Sequence, residues 1–371
     1  MMSARFLTVV LERAFNMRDG FGREIDYMRI SVIDSCNLNC YYCNPCDNNE
    51  HCHALNILSV KEVLCIVRAA TRLGIKHFRL TGGEPLLHPQ LDEMVLQIKK
   101  IPGVSSVSLT TNAVLLAQHA KWLKEAGIDS INVSLDTIDA SEYERITKKP
   151  LLEEVKHGIN AAIECGIRVK INVVLTPQTD VVALTRYVAK KGTDIRFIEM
   201  MPVGEGHTNG VEPYKKVIGT LSKLYGEPCR INTEKTKEIN SGNDKRKIPD
   251  NGPAEYYIFP ELGIRVGLIQ AIHGKFCDTC NRIRVTADGR LMPCLGSSVT
   301  MDLVPDSWDF ADDVEKDFAI VRVLRAAIKA KPRCHNFNDN AVTYTKTTET
   351  KTTEIEAAEV NAARNMSRIG G

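Results

Sequence analysis

Three cysteines, Cys36, Cys40 and Cys43, stand close together in the run Cys36-Asn-Leu-Asn-Cys40-Tyr-Tyr-Cys43. Three neighbouring thiolates can hold three corners of a cubane [4Fe–4S] cluster and leave its fourth iron open. An open metal position is what chemistry on a bound ligand requires, whereas a cluster that only carries electrons is commonly ligated four times. A second triplet, Cys277, Cys280 and Cys294, is also one thiolate short of a full set. Beside it, Arg282 and Arg284 alternate, so in a strand both guanidiniums face one side. Two such forks suit a multiply charged phosphate or a purine edge. The rival for the first triplet is a zinc knuckle, with Cys46, Cys52 and His53 as spare ligands. For the second it is a structural zinc site completed by Cys334 or His273. Cys65 and Cys165 lie on apolar helical faces and read as core.

Other candidate residues follow short β-branched runs. In Thr81-Gly82-Gly83-Glu84-Pro85 the glycines allow close backbone approach, and the carboxylate can pair with an ammonium group. Thr111, Asn112, Ser134 and Asp136 sit where polar contacts to a cofactor would be needed, although each is also a common turn or cap residue.

The elements that must position these groups alternate between residues 26 and 200. Strands are expected near 28–33, 77–80, 107–109, 131–135, 169–175 and 194–199. Between them lie amphipathic helices such as 91–101, where Leu91, Met94, Val95 and Ile98 share one face, and Gly127 and Gly166 end helices just before strands. The pattern predicts an α/β protein, a partial (β/α)6 TIM-like barrel, with an open doubly wound sheet as the rival. In such folds ligands meet the C-terminal ends of the strands. Residues 36–43, 82–84, 111–112, 134–136, 175–176 and 199–200 all fall there.

The barrel is expected over 1–225, and a smaller auxiliary iron–sulfur and substrate-binding region over 226–334. A tail of 335–371, low in aromatics, ends in Gly370-Gly371. Forty-eight basic and 46 acidic residues leave no charge bias toward polymeric nucleic acid. No apolar run reaches membrane-spanning length, and Glu12 and Arg13 interrupt the opening apolar stretch, so a cytoplasmic protein is expected. The 12 cysteines of a reduced chain then read as ligands and core rather than disulfides.

With its aromatic before the last cysteine, the first triplet resembles the radical S-adenosylmethionine superfamily. The wider pattern resembles the GTP 3′,8-cyclase family of molybdenum cofactor biosynthesis. That likeness rests on Asp26-Tyr-Met-Arg29-Ile-Ser-Val, Asn132-Val-Ser-Leu-Asp-Thr, Arg196-Phe-Ile-Glu-Met-Met-Pro202, Gly252-Pro-Ala, Phe276-Cys-Asp-Thr-Cys-Asn-Arg-Ile-Arg, Cys294 and the closing Gly-Gly. The resemblance implies two [4Fe–4S] clusters, one on Cys36, Cys40 and Cys43, the other on Cys277, Cys280 and Cys294. It implies S-adenosylmethionine on the first cluster, contacted by Tyr42, Gly82, Gly83, Glu84, Thr111, Asn112 and Ser134. It places GTP among Arg29, Arg196, Arg282 and Arg284, with its guanine on the second cluster and Gly370-Gly371 inserted in the site. The implied reaction forms (8S)-3′,8-cyclo-7,8-dihydroguanosine 5′-triphosphate through a 5′-deoxyadenosyl radical. Implied partners are a ferredoxin or flavodoxin as donor and a downstream cyclic pyranopterin monophosphate synthase, with a homodimer among the allowed assemblies. A peptide-modifying radical enzyme and a zinc-binding interaction protein are the alternative functions. The chain departs from the family pattern at His88, where a basic residue that reaches triphosphate is common, at Ala113, where glycine is usual, and at Asn39 and Asn44.

Overall fold

The computed structural model describes residues 17–43, 56–203, 210–231, 252–297, 299–303, 313–335 and 337. Cys46, Cys52, Asn44 and the Gly370-Gly371 tail lie outside the described residues.

Alternation along each strand decides which face meets helices. In β1 (Tyr27–Ser31), Met28 and Ile30 are fully buried in the core, and the intervening Tyr27, Arg29 and Ser31 point to the other face. The pattern recurs in β2 (His77–Thr81), β3 (Ser106–Thr111), β4 (Ser130–Ser134), β5 (Val169–Val174) and β6 (Asp194–Ile198). Phe78 and Leu80, Val107 and Leu109, Ile131 and Val133, Ile171 and Val173, and Ile195 and Phe197 supply the apolar sides. They join one core with α1 (Val60–Arg72), α2 (Leu91–Lys99), α3 (Leu116–Glu125), α4 (Ala140–Thr147), α5 (Leu152–Glu164) and α6 (Val181–Lys190). Each large apolar side chain so buried stabilises by about 1.5–3 kcal/mol. Helix α1 starts on a capping box, in which Ser59 Oγ accepts from Glu62 N at 3.3 Å and Glu62 Oε2 accepts from Ser59 N at 2.7 Å. Cys65 lies in the core, as its helical face predicts.

Strands β1 to β6 are parallel and neighbour one another in sequence order, without the reversal that marks a doubly wound sheet. Beyond them come α7 (Gly219–Tyr225), β7 (Cys229–Ile231), β8 (Glu255–Ile258), β9 (Arg265–Ile269), β10 (Arg282–Val285), β11 (Arg290–Met292), β12 (Met301–Asp302) and α8 (Asp313–Lys329). These later strands form no sheet of their own. Strand β9 adds in parallel to β6, and β10 adds in parallel to β1, so eight parallel strands run β10-β1-β2-β3-β4-β5-β6-β9. Antiparallel β8-β7 and β11-β12 continue the two ends. The six expected strands are β1 to β6; that β9 and β10 join their open edges is not given by periodicity, which shows where a strand is and not which edge it will cover.

Among the described residues, two positions without glycine have left-handed backbone, Ala113 at φ 65° and Lys148 at φ 60°. A Cβ at Gly158 would lie 2.4 Å from the Ala113 carbonyl oxygen, so α5 crosses that turn on bare backbone. Ala113→Gly relieves the left-handed penalty, and a stabilisation of about 0.5–1 kcal/mol is expected after the entropy of the added glycine. Thermal unfolding checks it, and a lowered midpoint would contradict the strain.

Candidate active site

The first triplet follows β1, on a loop seated against the end of α4. Asn39 N donates to Thr147 O at 3.0 Å, Tyr41 N to Ile146 O at 3.1 Å, and Cys43 N to Cys40 O at 2.9 Å. The Gly-Gly-Glu turn lies against the approach to this loop. Gly83 N donates to Ile33 O at 2.7 Å and Glu84 N to Ser35 O at 2.8 Å. A Cβ on Gly82 would sit 2.4 Å from Ile33 O, and one on Gly83 would sit 2.2 Å from Ser35 O. The close approach for which these glycines leave room is therefore to the chain's own backbone, just ahead of Cys36.

Glu84 is fully buried and binds three donors: Leu86 N at 3.0 Å, Thr111 Oγ1 at 2.7 Å and Asn112 N at 2.7 Å. Asn112 reaches onward, with Nδ2 3.7 Å from Cys36 Sγ and 2.7 Å from Asn37 Oδ1. Burial pushes the Glu84 carboxyl up to about 7 despite its donors. Because the unfolded chain loses this proton near 4.5 and the folded chain near 7, Glu84 costs folding stability as pH rises through that window. Glu84→Gln puts an amide where Asn112 N donates, leaving two donors face to face at a cost of about 1–3 kcal/mol. A lower thermal midpoint is expected, with a flatter pH dependence. An unchanged midpoint would remove Glu84 as the positioning residue of this loop.

Tyr42 donates to Asp136 Oδ2 at 2.5 Å, while Asp136 Oδ1 accepts from Val174 N at 2.8 Å. Burial lifts the Asp136 carboxyl to about 6. Ser134 is exposed at the end of β4, on the inner face beside Asn172.

Below this mouth the inner face of the barrel carries cations. Arg29 is in register with Arg284 on one side and Arg79 on the other, and Asn172 is in register with Arg196. Lys170, buried, lies opposite Asn132. Burial, then the neighbouring Arg284 charge, hold the Arg29 guanidinium well below its ordinary range; burial and Arg282 bring Arg284 to about 10. Burial would raise the Tyr27 phenol, yet Arg79, Arg29 and Arg282 draw it below its usual value. The inner face thus gathers several like charges at close quarters. Arg196 Nε donates to Asn172 Oδ1 at 2.9 Å, but its buried Nη2 and the buried Asn132 Oδ1 have no hydrogen-bond partner.

The second triplet is at the opposite end. Cys280 precedes β10, whose first residue pairs with Tyr27 at the start of β1, whereas Cys36 lies beyond Ser31 at its finish. Five residues of strand separate the two ends, about 13 Å between Tyr27 and Ser31. Cys280 N donates to Cys277 O at 3.1 Å, and Ser297 N to Cys294 O at 3.1 Å. The first triplet thus stands at the C-terminal end of β1, as expected, and the second, which that expectation did not cover, stands at the N-terminal end. Among the described residues no three His, Cys, Asp or Glu side chains close around a point for one metal ion. The sulfurs of each triplet are nonetheless near enough to affect one another's ionisation: Cys40 feels Cys43 and Cys36, and Cys277 feels Cys294, Cys280 and Cys334. Burial pushes Cys36 up to about 11 and Cys40 higher still, so these thiols ionise readily only on a cation. An all-sulfur donor set suits an iron–sulfur centre.

His273 does not join the second triplet; its Nδ1 bonds the buried carboxylate of Glu199. His88 is buried, with Nε2 donating to Leu58 O at 2.9 Å and Nδ1 accepting from Gln90 N at 3.1 Å. Both ring nitrogens are spent on local structure, so this departure from the family sets a turn. Sequence reasoning missed Arg79, Lys170 and Asn132, although alternation within the expected strands marks all three as sharing the face of Arg29 and Arg196. It also missed Arg23 and Lys331, for which no local signal exists.

A parallel partial barrel with a cysteine triplet beyond its first strand defines the radical S-adenosylmethionine class, and the Radical SAM superfamily pattern matches residues 30–183. The Molybdenum Cofactor Synthesis C pattern matches residues 193–337. GTP 3′,8-cyclase of Clostridium perfringens strain SM101 is 35% identical over 324 residues, 86% of this chain and 95% of that protein. That of Listeria monocytogenes serovar 1/2a is 36% identical over 323 residues, 86% and 92% of the two chains. The chain belongs to the GTP 3′,8-cyclase family. The crystal structure of Streptococcus suis SuiB bound to S-adenosylmethionine shares the fold, with a TM-score of 0.53 at 15% identity, covering 81% of this chain and 68% of that one. Among the described residues no helix is long and apolar enough to cross a membrane.

Proposed function

We propose that this chain converts GTP to (8S)-3′,8-cyclo-7,8-dihydroguanosine 5′-triphosphate, the first step of molybdenum cofactor biosynthesis. The observation that carries the reading is the cationic inner face lying between two cysteine triplets at opposite ends of β1. Cys36, Cys40 and Cys43 would hold one [4Fe–4S] cluster, and Cys277, Cys280 and Cys294 the other. S-adenosylmethionine bound at the first supplies a 5′-deoxyadenosyl radical. Asn112, held by Glu84, and Tyr42, held by Asp136, orient the cofactor pocket, with the Gly82-Gly83 backbone and Ser134 at its rim.

Arg29, Arg79, Arg196, Arg282 and Arg284, with Lys170, would neutralise the triphosphate and fix its position. The buried Nη2 of Arg196 and Oδ1 of Asn132 offer a donor and an acceptor to the nucleotide. Fixing both halves of one substrate is what intramolecular bond formation needs, and restraint of this kind lowers a barrier by up to about 7–11 kcal/mol. By family resemblance, Gly370-Gly371 would complete the site, a ferredoxin or flavodoxin would supply electrons, and a cyclic pyranopterin monophosphate synthase would take the product.

Anaerobically reconstituted protein given dithionite, S-adenosylmethionine and GTP is expected to form 5′-deoxyadenosine and a cyclised nucleotide together. 5′-Deoxyadenosine without a GTP-derived product would end the substrate assignment. Zinc in place of about eight irons with labile sulfide would end the enzymatic one.

A further inference from the structure

Strands β9 and β10 do not pair with each other, and residues 270–281, which join them, carry Cys277 and Cys280. A second segment, residues 331–335, binds to both ends of this connection. Helix α8 brings it there, anchored on α1 by Asp317 Oδ2, which lies 2.9 Å from Arg72 Nη2 and 3.6 Å from Arg68 Nε.

Lys331 is 2% exposed. It donates to Arg282 O at 2.8 Å and to Pro293 O at 2.7 Å, and against the effect of burial its charge draws the Cys280 thiol down. Carbonyl acceptors of this kind allow an ammonium to be kept out of water. The acceptors are not arbitrary: Pro293 immediately precedes Cys294, and Arg282 follows Cys280 by two residues. At the other end, His335 Nε2 donates to Ala271 O at 2.8 Å. Arg23 holds the middle, bonding Pro332 O at 2.6 Å, Arg333 O at 2.8 Å and Cys277 O at 2.7 Å, and is itself paired with Asp19 at 2.5 Å.

We propose that residues 331–335 are a hydrogen-bonding clasp over the second cysteine triplet, in which buried Lys331 fixes the backbone beside Cys280 and Cys294 and sets the potential of the cluster that the triplet holds. The inference rests on the reading that Cys277, Cys280 and Cys294 hold a [4Fe–4S] cluster. A buried cation beside the cysteines stabilises the reduced, more negative cluster and so raises its reduction potential. The cation sits at the second triplet, and the clasp therefore leaves the first cluster untouched.

The test is a potentiometric titration, followed by electron paramagnetic resonance, of the full-length anaerobically reconstituted protein. Added S-adenosylmethionine marks the signal of the first cluster, and added GTP that of the second. Lys331→Met is expected to shift the second potential downward while the first stays put, and Lys331→Arg, which keeps N–H donors, to restore part of the shift. If Lys331→Met loses the second cluster alone and Lys331→Arg retains it, the clasp acts on assembly as well. Two full clusters with an unmoved second potential in Lys331→Met would overturn the clasp while sparing the second centre. A wild-type protein with only about four irons would overturn the clasp together with the reading beneath it.

Discussion

Cys40→Ser is expected to abolish S-adenosylmethionine cleavage, with 5′-deoxyadenosine formation falling at least about a thousand-fold, because the cofactor loses the centre that reduces it. The loop itself should survive. Its seating on α4 uses backbone bonds from Asn39 and Tyr41, and its last turn uses Cys43 N on Cys40 O, none of which needs the sulfur. Iron should fall from about eight to about four per chain while the second cluster keeps its spectrum. The two triplets stand at opposite ends of β1, so damage at one end should not spread. Retained cleavage, or loss of both clusters at once, would rule out the assignment of the first site.

Arg284→Met should separate substrate binding from folding. Arg284 is buried, in register with Arg29, and its guanidinium is brought down to about 10 by burial first and then by Arg282. Without an anion in the lumen these charges oppose one another, so an apolar side chain of similar length should raise the thermal midpoint, as apolar replacements of buried charges often do. The nucleotide should respond oppositely. A charge-assisted hydrogen bond to phosphate is worth about 1.5–3 kcal/mol, so KM for GTP should rise about 10- to 100-fold. Cleavage of S-adenosylmethionine should persist and become uncoupled from product. A variant that is both less stable and unaltered in KM would make Arg284 a structural residue.

Much of the first site is legible from spacing because its parts are local. Three thiols on one short loop must lie together wherever that loop is placed, and Gly82-Gly83-Glu84 follows the next strand in the sheet. What the carboxylate does was less visible. Glu84 spends both oxygens on Thr111, Asn112 and its own turn, a role that follows from where β3 ends. His88 shows the converse: its place in the family pattern suggests phosphate, and its bonds to Leu58 and Gln90 give it to the turn.

The sequence by itself determined the class of metal chemistry, the strand–helix repeat and the alternation that sends Arg29, Arg196 and Arg284 to one side of their strands. These depend on bond geometry within a few residues. Tertiary structure alone decided that β9 and β10 would cover the open edges beside β6 and β1, which sets the second triplet at the far end of the lumen and closes the cationic face between them. It also brought Arg23 and Lys331 to the second triplet across more than 250 and nearly 50 residues of chain. The physical reason is that a strand's period directs its side chains, while its partner is chosen by the unpaired backbone edge left when the rest of the chain has folded.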